Sequence, residues 1–538
     1  MYAGILLLAA YILGLFVDLT GDAAKYGAIA RHIVDSGDLI HLKIHGEAYE
    51  QKPQLLFWLS ALGLKLGGIH NWSFKIFPTL YSFAGFWFTY KLGEIVYNRK
   101  TGQLAALMLA TSWIYFFFTA DIHTDLVLQA NTTLAIWQLA AYLKTKRNVH
   151  FFWAFAGVGL AMLSKGPVGA VVPAFAIGVH LLFTRDFKQL FHPKWLIGIC
   201  ISFIISFPAF WGLYQQFGTD GLKFFFITNN IGRITGSYIG NSTDYFFYLH
   251  ALAYLLLPWT FLMLFAFWFE IGSYFKKSVK RNEYFTVGAI WGYFLIVSVA
   301  RAKAPHYIFI IVPLIMIVIA HWIDVKMGEA EQKNIKFMGR IQILVPFFLA
   351  VFVAVIIGYL FPSANVWLWL ILLASVAFSI LILRTEHSVG YRLFLPSVIM
   401  IATLLIAMNG HALPVISGYQ ASAKASRVYN EESSPNDKIY NYLFPYYEVF
   451  FYSKSGAERL YSIRDFNRDP DYTSWIFTTK AGKDTLQMYF EPQIEAIDSF
   501  KHRGMSTIRP DFVNPRTRES SLEPMYLIRI QSNPIKAE

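Results

Sequence analysis

The chain has 538 residues, of which 56% are hydrophobic and 15% are charged, and its mean hydropathy is +0.43. An ordinary soluble domain needs a more highly charged surface, so this composition excludes one. The net charge of +12 does not indicate a nucleic-acid partner, because the lysines and arginines stand in short clusters between apolar runs. Such clusters are typical of membrane proteins that follow the positive-inside rule.

Apolar runs long enough to cross a bilayer recur from the N-terminus to about residue 410. They predict a polytopic α-helical membrane protein with about thirteen transmembrane helices. The predicted spans are 1–17, 76–97, 103–120, 124–143, 150–164, 167–184, 195–214, 244–269, 285–299, 307–323, 341–361, 366–383 and 393–410. The first run has no small-residue cleavage site, which favours a retained span over a signal peptide and leaves open whether the native chain begins upstream of Met1.

Basic clusters between the spans set the predicted orientation. They occupy 99–100, 144–147, 185–194, 276–281, 326–340 and 384–392. If all of them face the cytoplasm, the N-terminus is cytoplasmic and the loops 18–75, 215–243 and 300–306 are external. The apolar piece 54–68 is too short to span comfortably and is predicted to lie in the membrane interface.

The composition changes from about residue 411. Charged residues, proline and asparagine become frequent, and "DKIYNYLF", "EVFFYSK" and "SWIFTTK" have the composition of strands. We expect a transmembrane domain over 1–410 and a small external α/β domain over 411–538. The single cysteine, Cys200, excludes a disulfide framework and a zinc site built from cysteines.

The first external loop carries two candidate residues, and each has two interpretations. Asp22 falls in the first turn of the helical pattern "GDAAKYGAIARHI", where it is either a capping aspartate or a functional carboxylate at the mouth of a helix bundle. Lys52 precedes Pro53 and the interfacial helix. It either extends its amine to the lipid headgroups or is a fixed cation for a lipid phosphate near a helix N-terminus.

A second acidic segment, "ADIHTDLVLQAN", contains Asp121, His123 and Asp125. On a continuous helix the two aspartates share a face and His123 points away, so a three-ligand metal site requires this turn to be non-helical. A carboxylate just inside a span is costly, which makes Asp125 a functional candidate without a metal as well.

The remaining external loops concentrate cations. The candidates are Arg233 in the second loop, Arg301, Lys303, His306 and Tyr307 in or beside the third, and Lys165 at another outer boundary. Cations on the outer side run against the positive-inside bias, so they indicate an anionic ligand. For Lys165, extension towards the headgroups is an equally good explanation.

Together these residues predict transfer of a group from a phosphate leaving group. Cations bind the departing phosphate by charge-assisted hydrogen bonds, and a carboxylate takes up or orients a hydroxyl proton. Nucleotide donors are absent outside the inner membrane, so the activated donor must arrive on a lipid. The sequence has no phosphate-binding loop, as that reasoning requires.

The first loop, from "DAAKYGAIARHIVDSGD" to "HGEAYEQKPQLLFWLSALGLKLGG", resembles that of the lipid A aminoarabinose transferase and its relatives. These are GT-C glycosyltransferases of the dolichyl-phosphate-mannose protein mannosyltransferase superfamily. The likeness continues in order through "HTDLVL", "LSKGPVG", "NNIGRI", "LLPW" and "RAKAPHYIFIIVP". It implies a GT-C fold with an external C-terminal domain.

The resemblance also implies roles for individual residues. Asp22 matches the essential first-loop aspartate, and Asp125 matches a second important aspartate. The residues that match those near the polyprenyl phosphate are Lys52, Arg233, Tyr307 and Tyr49, and we expect Lys303, His306, Lys165 and Glu50 to support them.

Two departures from the family pattern bear on these roles. The acid that usually follows the first aspartate is replaced by Ala23. The acid that directly precedes the lysine is replaced by Gln51, with Glu50 one place earlier. That acid is linked to a metal in relatives, so the resemblance leaves a divalent metal here open, and it implies no organic cofactor.

The sequence therefore predicts an inverting glycosyltransferase of the bacterial inner membrane with its active site facing the periplasm. Its expected partners are a polyprenyl-phosphate-linked sugar, lipid A or another envelope acceptor, and membrane lipids. The alternatives are transfer to a protein, a lipid or sugar flippase, and a non-catalytic assembly protein. The clustering of polar residues at one face instead of the midplane disfavours a transporter.

Overall fold

The computed structural model describes residues 1–274, 283–327, 333–386, 389–466, 472–504 and 509–531. The predicted basic cluster at 276–281 lies outside these ranges, as do parts of the clusters at 326–340 and 384–392. The helices up to residue 255 are α1 (Tyr2–Phe16), α2 (Gly21–Ser36), α3 (Leu55–Gly67), α4 (Asn71–Val96), α5 (Arg99–Ala110), α6 (Trp113–Ala120), α7 (Thr124–Thr145), α8 (Asn148–Lys165), α9 (Val168–Phe183), α10 (Phe187–Leu190), α11 (Lys194–Lys223), α12 (Ile231–Thr235) and α13 (Phe247–Leu255).

The later helices are α14 (Thr260–Tyr274), α15 (Phe285–Val299), α16 (Val312–Met327), α17 (Lys333–Val355), α18 (Val366–Thr385), α19 (Val389–Ala407), α20 (Leu413–Ser417), α21 (Ala421–Glu432), α22 (Tyr447–Tyr452), α23 (Lys480–Phe490) and α24 (Pro510–Val513). A 3₁₀ helix, Pro305–Ile311, precedes α16, and π-helical turns follow α11, α17 and α19. The strands are β1 (Lys43–Ile44), β2 (Glu47–Ala48), β3 (Lys438–Tyr442), β4 (Ala457–Leu460), β5 (Ser474–Thr479), β6 (Ile494–His502) and β7 (Glu523–Ile530).

The chain is a polytopic membrane protein. In the described ranges, five helical segments are long and apolar enough to cross a membrane, and the number rises to seven if each of two bent pairs counts as one span. The bent pairs are α1 with α2, at 68°, and α5 with α6, at 49°. The finer count of thirteen spans stays a prediction.

Helical structure continues into the predicted second external loop, whose position relative to the membrane stays a prediction. The sequence predicts a loop from residue 215, but helical structure continues to Lys223 and then as a π-helical turn to Thr228. Gly218 interrupts the helix with φ 62°, a conformation that glycine adopts without steric cost. The chain therefore changes direction at this glycine, within the helical segment, and not where the apolar run ends.

Helix α7 forms the interior of the bundle and is buried along nearly its whole length. Its polar side chains are satisfied locally: Gln129 donates to the hydroxyl of Thr133 (3.1 Å), and Asn131 donates to the carbonyl of Val127 (3.0 Å). A buried polar group needs such partners. The N-terminal turn of α7 carries Asp125, which therefore lies inside the protein.

The C-terminal part contains a five-stranded sheet in the order β4-β3-β5-β7-β6. Strand β3 pairs in parallel with β4 and β5, whereas β7 pairs antiparallel with β5 and β6. Helix α21 contributes Ala421, Ala425 and Tyr429 to one hydrophobic cluster of the sheet. Helix α23 contributes Leu486 to a second cluster, so the sheet has helical cover on both faces.

One predicted strand is wrong. The run "EVFFYSK" forms helix α22, which packs on α2 instead of joining the sheet. The ring of Phe451 fills the space beside Gly27, where a Cβ would come within 2.8 Å of it. The Arg31 guanidinium donates to the carbonyls of Phe450, Phe451, Ser453 and Lys454 at 2.5–3.4 Å. These tertiary contacts override the strand preference of an aromatic run.

Candidate active site

A cavity of about 230 Å³ lies between α9, α12, α15 and the 3₁₀ helix. Three cationic residues, Lys52, Lys165 and Arg233, line it together with Tyr307. The remaining lining is mostly aliphatic and comes largely from α9 and α15. The cavity therefore combines positive charge with an apolar wall, as a binding site for a lipid anion requires.

Lys52 reaches the cavity from the non-helical segment before α3. Pro53 follows it, and the helix begins at Leu55. Burial, then the charges of Lys165 and Arg233, lower the pKa of Lys52 to about 7, while the carboxylates of Asp125 and Asp22 act in the opposite sense. A bound anion would stabilise the charged form of this amine, because it would offset both the burial and the repulsion from the neighbouring cations.

Tyr49 lies beside Lys52 in a small adjoining pocket. Its side chain is 6% exposed, and within the described ranges its hydroxyl has no hydrogen-bond partner. A buried hydroxyl without a partner is unfavourable, so Tyr49 has a free donor available next to the cation.

Arg233 and Tyr307 meet although 74 residues separate them. Arg233 Nη1 donates to the Tyr307 hydroxyl at 2.7 Å, and its Nε donates to Asn229 Oδ1 at 2.9 Å. The backbone amide of Ala302 donates to the carbonyl of Arg233 at 2.9 Å, which ties α12 to the segment before the 3₁₀ helix. Among the described residues, two hydrogen bonds thus hold the guanidinium, and its other N–H groups remain available for a ligand.

Asp125 and Lys165 form a buried ion pair at the wall of the cavity. Lys165 Nζ donates to both carboxylate oxygens, at 2.7 and 2.8 Å, and Asp125 is 2% exposed. The ammonium also lies 4.9 Å from the centre of the Tyr307 ring. Bidentate pairing of this kind offsets the cost of burying both charges.

Asp22 is at the second position of α2, where its side chain pairs with Lys25 at 2.6 Å and is 47% exposed. Thr20 is in the N-cap position and Asp22 lies in the first turn, so Asp22 does not cap the helix through its side chain, although its charge is favourable at that end of the helix dipole. Asp22 is not among the described residues that line the cavity, yet its charge acts on Lys52. The carboxylate therefore stands at the edge of the cation-lined space and is open to solvent.

The sequence of this chain is similar to those of several known proteins. The family model for dolichyl-phosphate-mannose-protein mannosyltransferase matches residues 51–211. An uncharacterized protein of Aquifex aeolicus (strain VF5) is 26% identical over 343 residues, which cover 63% of this chain and 66% of the relative. The undecaprenyl phosphate-alpha-4-amino-4-deoxy-L-arabinose arabinosyl transferase 2 of Proteus mirabilis is 24% identical over 374 residues, which cover 67% of this chain and 65% of the relative. Each match spans less than two thirds of the relative's length.

Among solved structures, ArnT from Cupriavidus metallidurans bound to undecaprenyl phosphate superposes with a TM-score of 0.76 at 16% identity. The superposition covers 98% of this chain and 97% of ArnT, and it establishes the fold. The chain is therefore similar to the mannosyltransferase family over residues 51–211, and it shares the fold of ArnT.

Several of the predicted site residues line the cavity, and others do not. Lys52, Arg233, Tyr307 and Lys165 line it. The predicted supporting residue Lys303 instead donates to the carbonyl of Ser298 at 2.6 Å.

Glu50, another predicted supporting residue, is not among the described residues that line the cavity. Burial raises the pKa of its carboxyl group. The structure leaves the roles of all these residues as predictions.

The second acidic segment has the non-helical turn that a metal site requires, but the ligand set differs from the predicted one. Residues 121–123 precede α7, and the grouped ligand atoms belong to His123, Asp125 and His306, all within 4.8 Å of one another. Asp121 instead contacts His123 Nε2 at 3.3 Å. Two imidazoles and a carboxylate suit a divalent cation such as Zn²⁺, which would act there as a Lewis acid. Lys165 already neutralises Asp125, however, so a cation would compete with it.

Sequence reasoning missed three contacts of the candidate site residues. Lys25 pairs with Asp22 at a spacing of three residues, which is a helical ion-pair signal that could have been used. Asn229 orients Arg233 from four residues earlier, also within reach on a helix. The cavity-lining Tyr293 donates to the carbonyl of Tyr307 at 3.1 Å and gave no signal in the sequence.

Proposed function

We propose that the protein transfers a sugar from a polyprenyl phosphate to lipid A or another envelope acceptor at the periplasmic face of the bacterial inner membrane. One observation carries the proposal: neither Lys52 nor Arg233 has an ion-pair partner within the described ranges, although both line one cavity. Unpaired cations inside a protein are costly unless an anion binds beside them. A lipid-linked sugar phosphate supplies that anion and an apolar tail for the aliphatic wall.

The comparisons support the choice of donor. The curated relatives include arabinosyl transferases whose names specify undecaprenyl phosphate, and ArnT was solved with undecaprenyl phosphate bound. These names support a polyprenyl-phosphate donor, with undecaprenyl phosphate as its lipid. The lipid A acceptor is proposed from the resemblance of the first external loop. The proposed division of the chain assigns 1–410 to the membrane domain and 411–538 to a periplasmic domain.

The proposed chemistry is a single displacement. The bond between the anomeric carbon and the phosphate oxygen breaks while the acceptor oxygen bonds to that carbon, which inverts its configuration. Asp22 takes up or orients the acceptor proton, and Lys25 keeps its carboxylate ionised. Lys52, Arg233 and the hydroxyl of Tyr307 hold the departing phosphate, and the Asp125–Lys165 pair fixes the wall behind it.

The test is Asp22→Asn in the purified full chain, supplied with a labelled undecaprenyl-phosphate-linked sugar and a lipid acceptor. Loss of the base is expected to lower kcat by about 10²- to 10⁴-fold. Asp35→Asn is the matched control, because Asp35 lies at the far end of α2 and is 57% exposed. Unchanged transfer by Asp22→Asn would remove the catalytic assignment. A wild type that moves the lipid across a bilayer with the sugar–phosphate bond intact would favour a flippase.

A further inference from the structure

Lys75 is a fully buried lysine in the second turn of α4, and it is 0% exposed. Its ammonium group donates three hydrogen bonds, to the carbonyls of Gly14 (3.1 Å), Val17 (2.7 Å) and Ala120 (2.5 Å). Each of its three N–H groups therefore has an acceptor. Within the described ranges Lys75 has no carboxylate ion-pair partner, so backbone dipoles and the more distant charges of Asp121 and Asp18 stabilise its ammonium group.

The three carbonyls belong to the C-terminal ends of two different helices. Gly14 lies in the last turn of α1, Val17 directly follows that helix, and Ala120 is the last residue of α6. Carbonyls at a helix C-terminus have no partner within the helix and carry the negative end of its dipole. One lysine thus caps two helices at once.

Both capped ends lead to a candidate aspartate. Asp22 follows Val17 by five residues, and Asp125 follows Ala120 by five residues. The chain bends in both places: α1 meets α2 at 68°, and the non-helical residues 121–123 separate α6 from α7. The position of each carboxylate therefore depends on where its preceding helix ends.

A second contact from the same end of α4 fixes the first bend. Asn71 donates to the carbonyl of Phe16 (3.3 Å) and to the carboxylate of Asp18 (2.9 Å). Its own amide oxygen accepts from the hydroxyl of Tyr452, which in turn accepts from the amide of Leu19 (2.7 Å). The start of α4 therefore holds the segment that leads to Asp22 at several points.

We infer that Lys75 is a positioning residue for the reaction, because it holds the α1 and α6 termini together and so sets the separation of Asp22 and Asp125. This inference rests on the proposed function, in which those carboxylates face the acceptor and the cavity. A displacement of about 1 Å in such a pair is expected to lower the rate of the chemical step by up to about 100-fold. The lipid-phosphate residues Lys52, Arg233 and Tyr307 are on other segments and are expected to keep their geometry.

The experiment compares Lys75→Met, Lys75→Arg and Lys91→Met in the full chain. Methionine fills the space without donors. Arginine keeps the charge and the donors, and Arg31 shows that a guanidinium in this fold can satisfy four backbone carbonyls. Lys91 is the control, since it lies on the same helix and pairs with Glu94 at the partly exposed surface.

Lys75→Met is expected to lower kcat by about 10- to 100-fold with undecaprenyl phosphate affinity within about threefold of wild type, and Lys75→Arg is expected to recover most of the loss. A kcat for Lys75→Met equal to that of Lys91→Met would overturn the inference. Loss of lipid-phosphate affinity together with kcat would also overturn it, because the effect would then not be confined to the placement of the two carboxylates.

Amide hydrogen exchange decides the inference separately from the proposed function. If the wild type transfers no sugar, the proposed function fails. The rate of amide hydrogen exchange in residues 14–22 and 118–125 of Lys75→Met still tests whether Lys75 caps both α1 and α6. Faster exchange in both segments supports the cap. Unchanged exchange in either segment contradicts it.

Discussion

The surroundings of Lys52 destabilise its positive charge. Burial and the neighbouring cations Lys165 and Arg233 bring its pKa to about 7, although Asp125 and Asp22 partly offset them. A phosphate bound beside the amine would favour the charged form, so phosphate binding and protonation of Lys52 are linked. The position of Lys52 before Pro53 identified it in the sequence as a candidate cation. The charges around it belong to distant segments, and one sequence alone does not show that these segments meet.

We therefore predict that the affinity for undecaprenyl phosphate falls as the pH rises through about 7. Between pH 6 and pH 8 the charged fraction of Lys52 falls about tenfold, because its pKa lies between these values. Lys52→Arg keeps its charge throughout this range and is expected to remove the dependence that comes from residue 52. The measurement is the ratio of the wild-type and Lys52→Arg dissociation constants at each pH, which cancels the titration of the ligand itself. A ratio that does not change with pH would contradict the prediction.

At the scale of elements, helix α2 is held from the C-terminal part of the chain. Glu448 of α22 is fully buried and accepts from the backbone amide of Gly21 at 3.0 Å, next to Asp22. At the other end of the contact, Arg31 donates to the backbone that ends α22. Contacts with α22 therefore fix α2, the helix that carries the candidate base, at its first residue and again at Arg31.

Arg31→Met is expected to lower the Tm of the purified chain by roughly 5 °C, because four backbone carbonyls lose their donor in a buried contact. The matched control is Arg464→Met, because Arg464 is an exposed arginine in the C-terminal part of the chain. Thermal unfolding followed by circular dichroism in detergent checks the difference. A shift no larger than that of the control would mean that this contact adds little to stability.

Sequence patterns predicted some elements closely and others poorly. The short apolar piece 54–68 became α3, Leu55–Gly67, and "SWIFTTK" became β5, because each run has one dominant periodicity or composition. The run "EVFFYSK" became a helix, because its partner is Arg31, more than four hundred residues earlier in the chain. The non-helical turn at 121–123 had no glycine or proline to mark it, and Lys75 stood unnoticed at the edge of a predicted span.

At the scale of the whole molecule, the candidate site exists only because distant segments meet. Lys52, Lys165, Arg233 and Tyr307 come from four separate parts of the chain and line one cavity. The order of the family motifs predicted which residues to consider. The hydrogen bond between Arg233 and Tyr307 and the pairing of Lys165 with Asp125 depend on tertiary packing, which no local pattern encodes.

The most direct test of the account is the dissociation constant of undecaprenyl phosphate for the wild type, Arg233→Met and Lys223→Met. Lys223 is an exposed cation at the end of α11 and serves as the control. Loss of a charge-assisted hydrogen bond is expected to weaken binding to Arg233→Met by about tenfold or more. Equal dissociation constants for Arg233→Met and Lys223→Met would contradict the claim that this cavity holds the lipid phosphate.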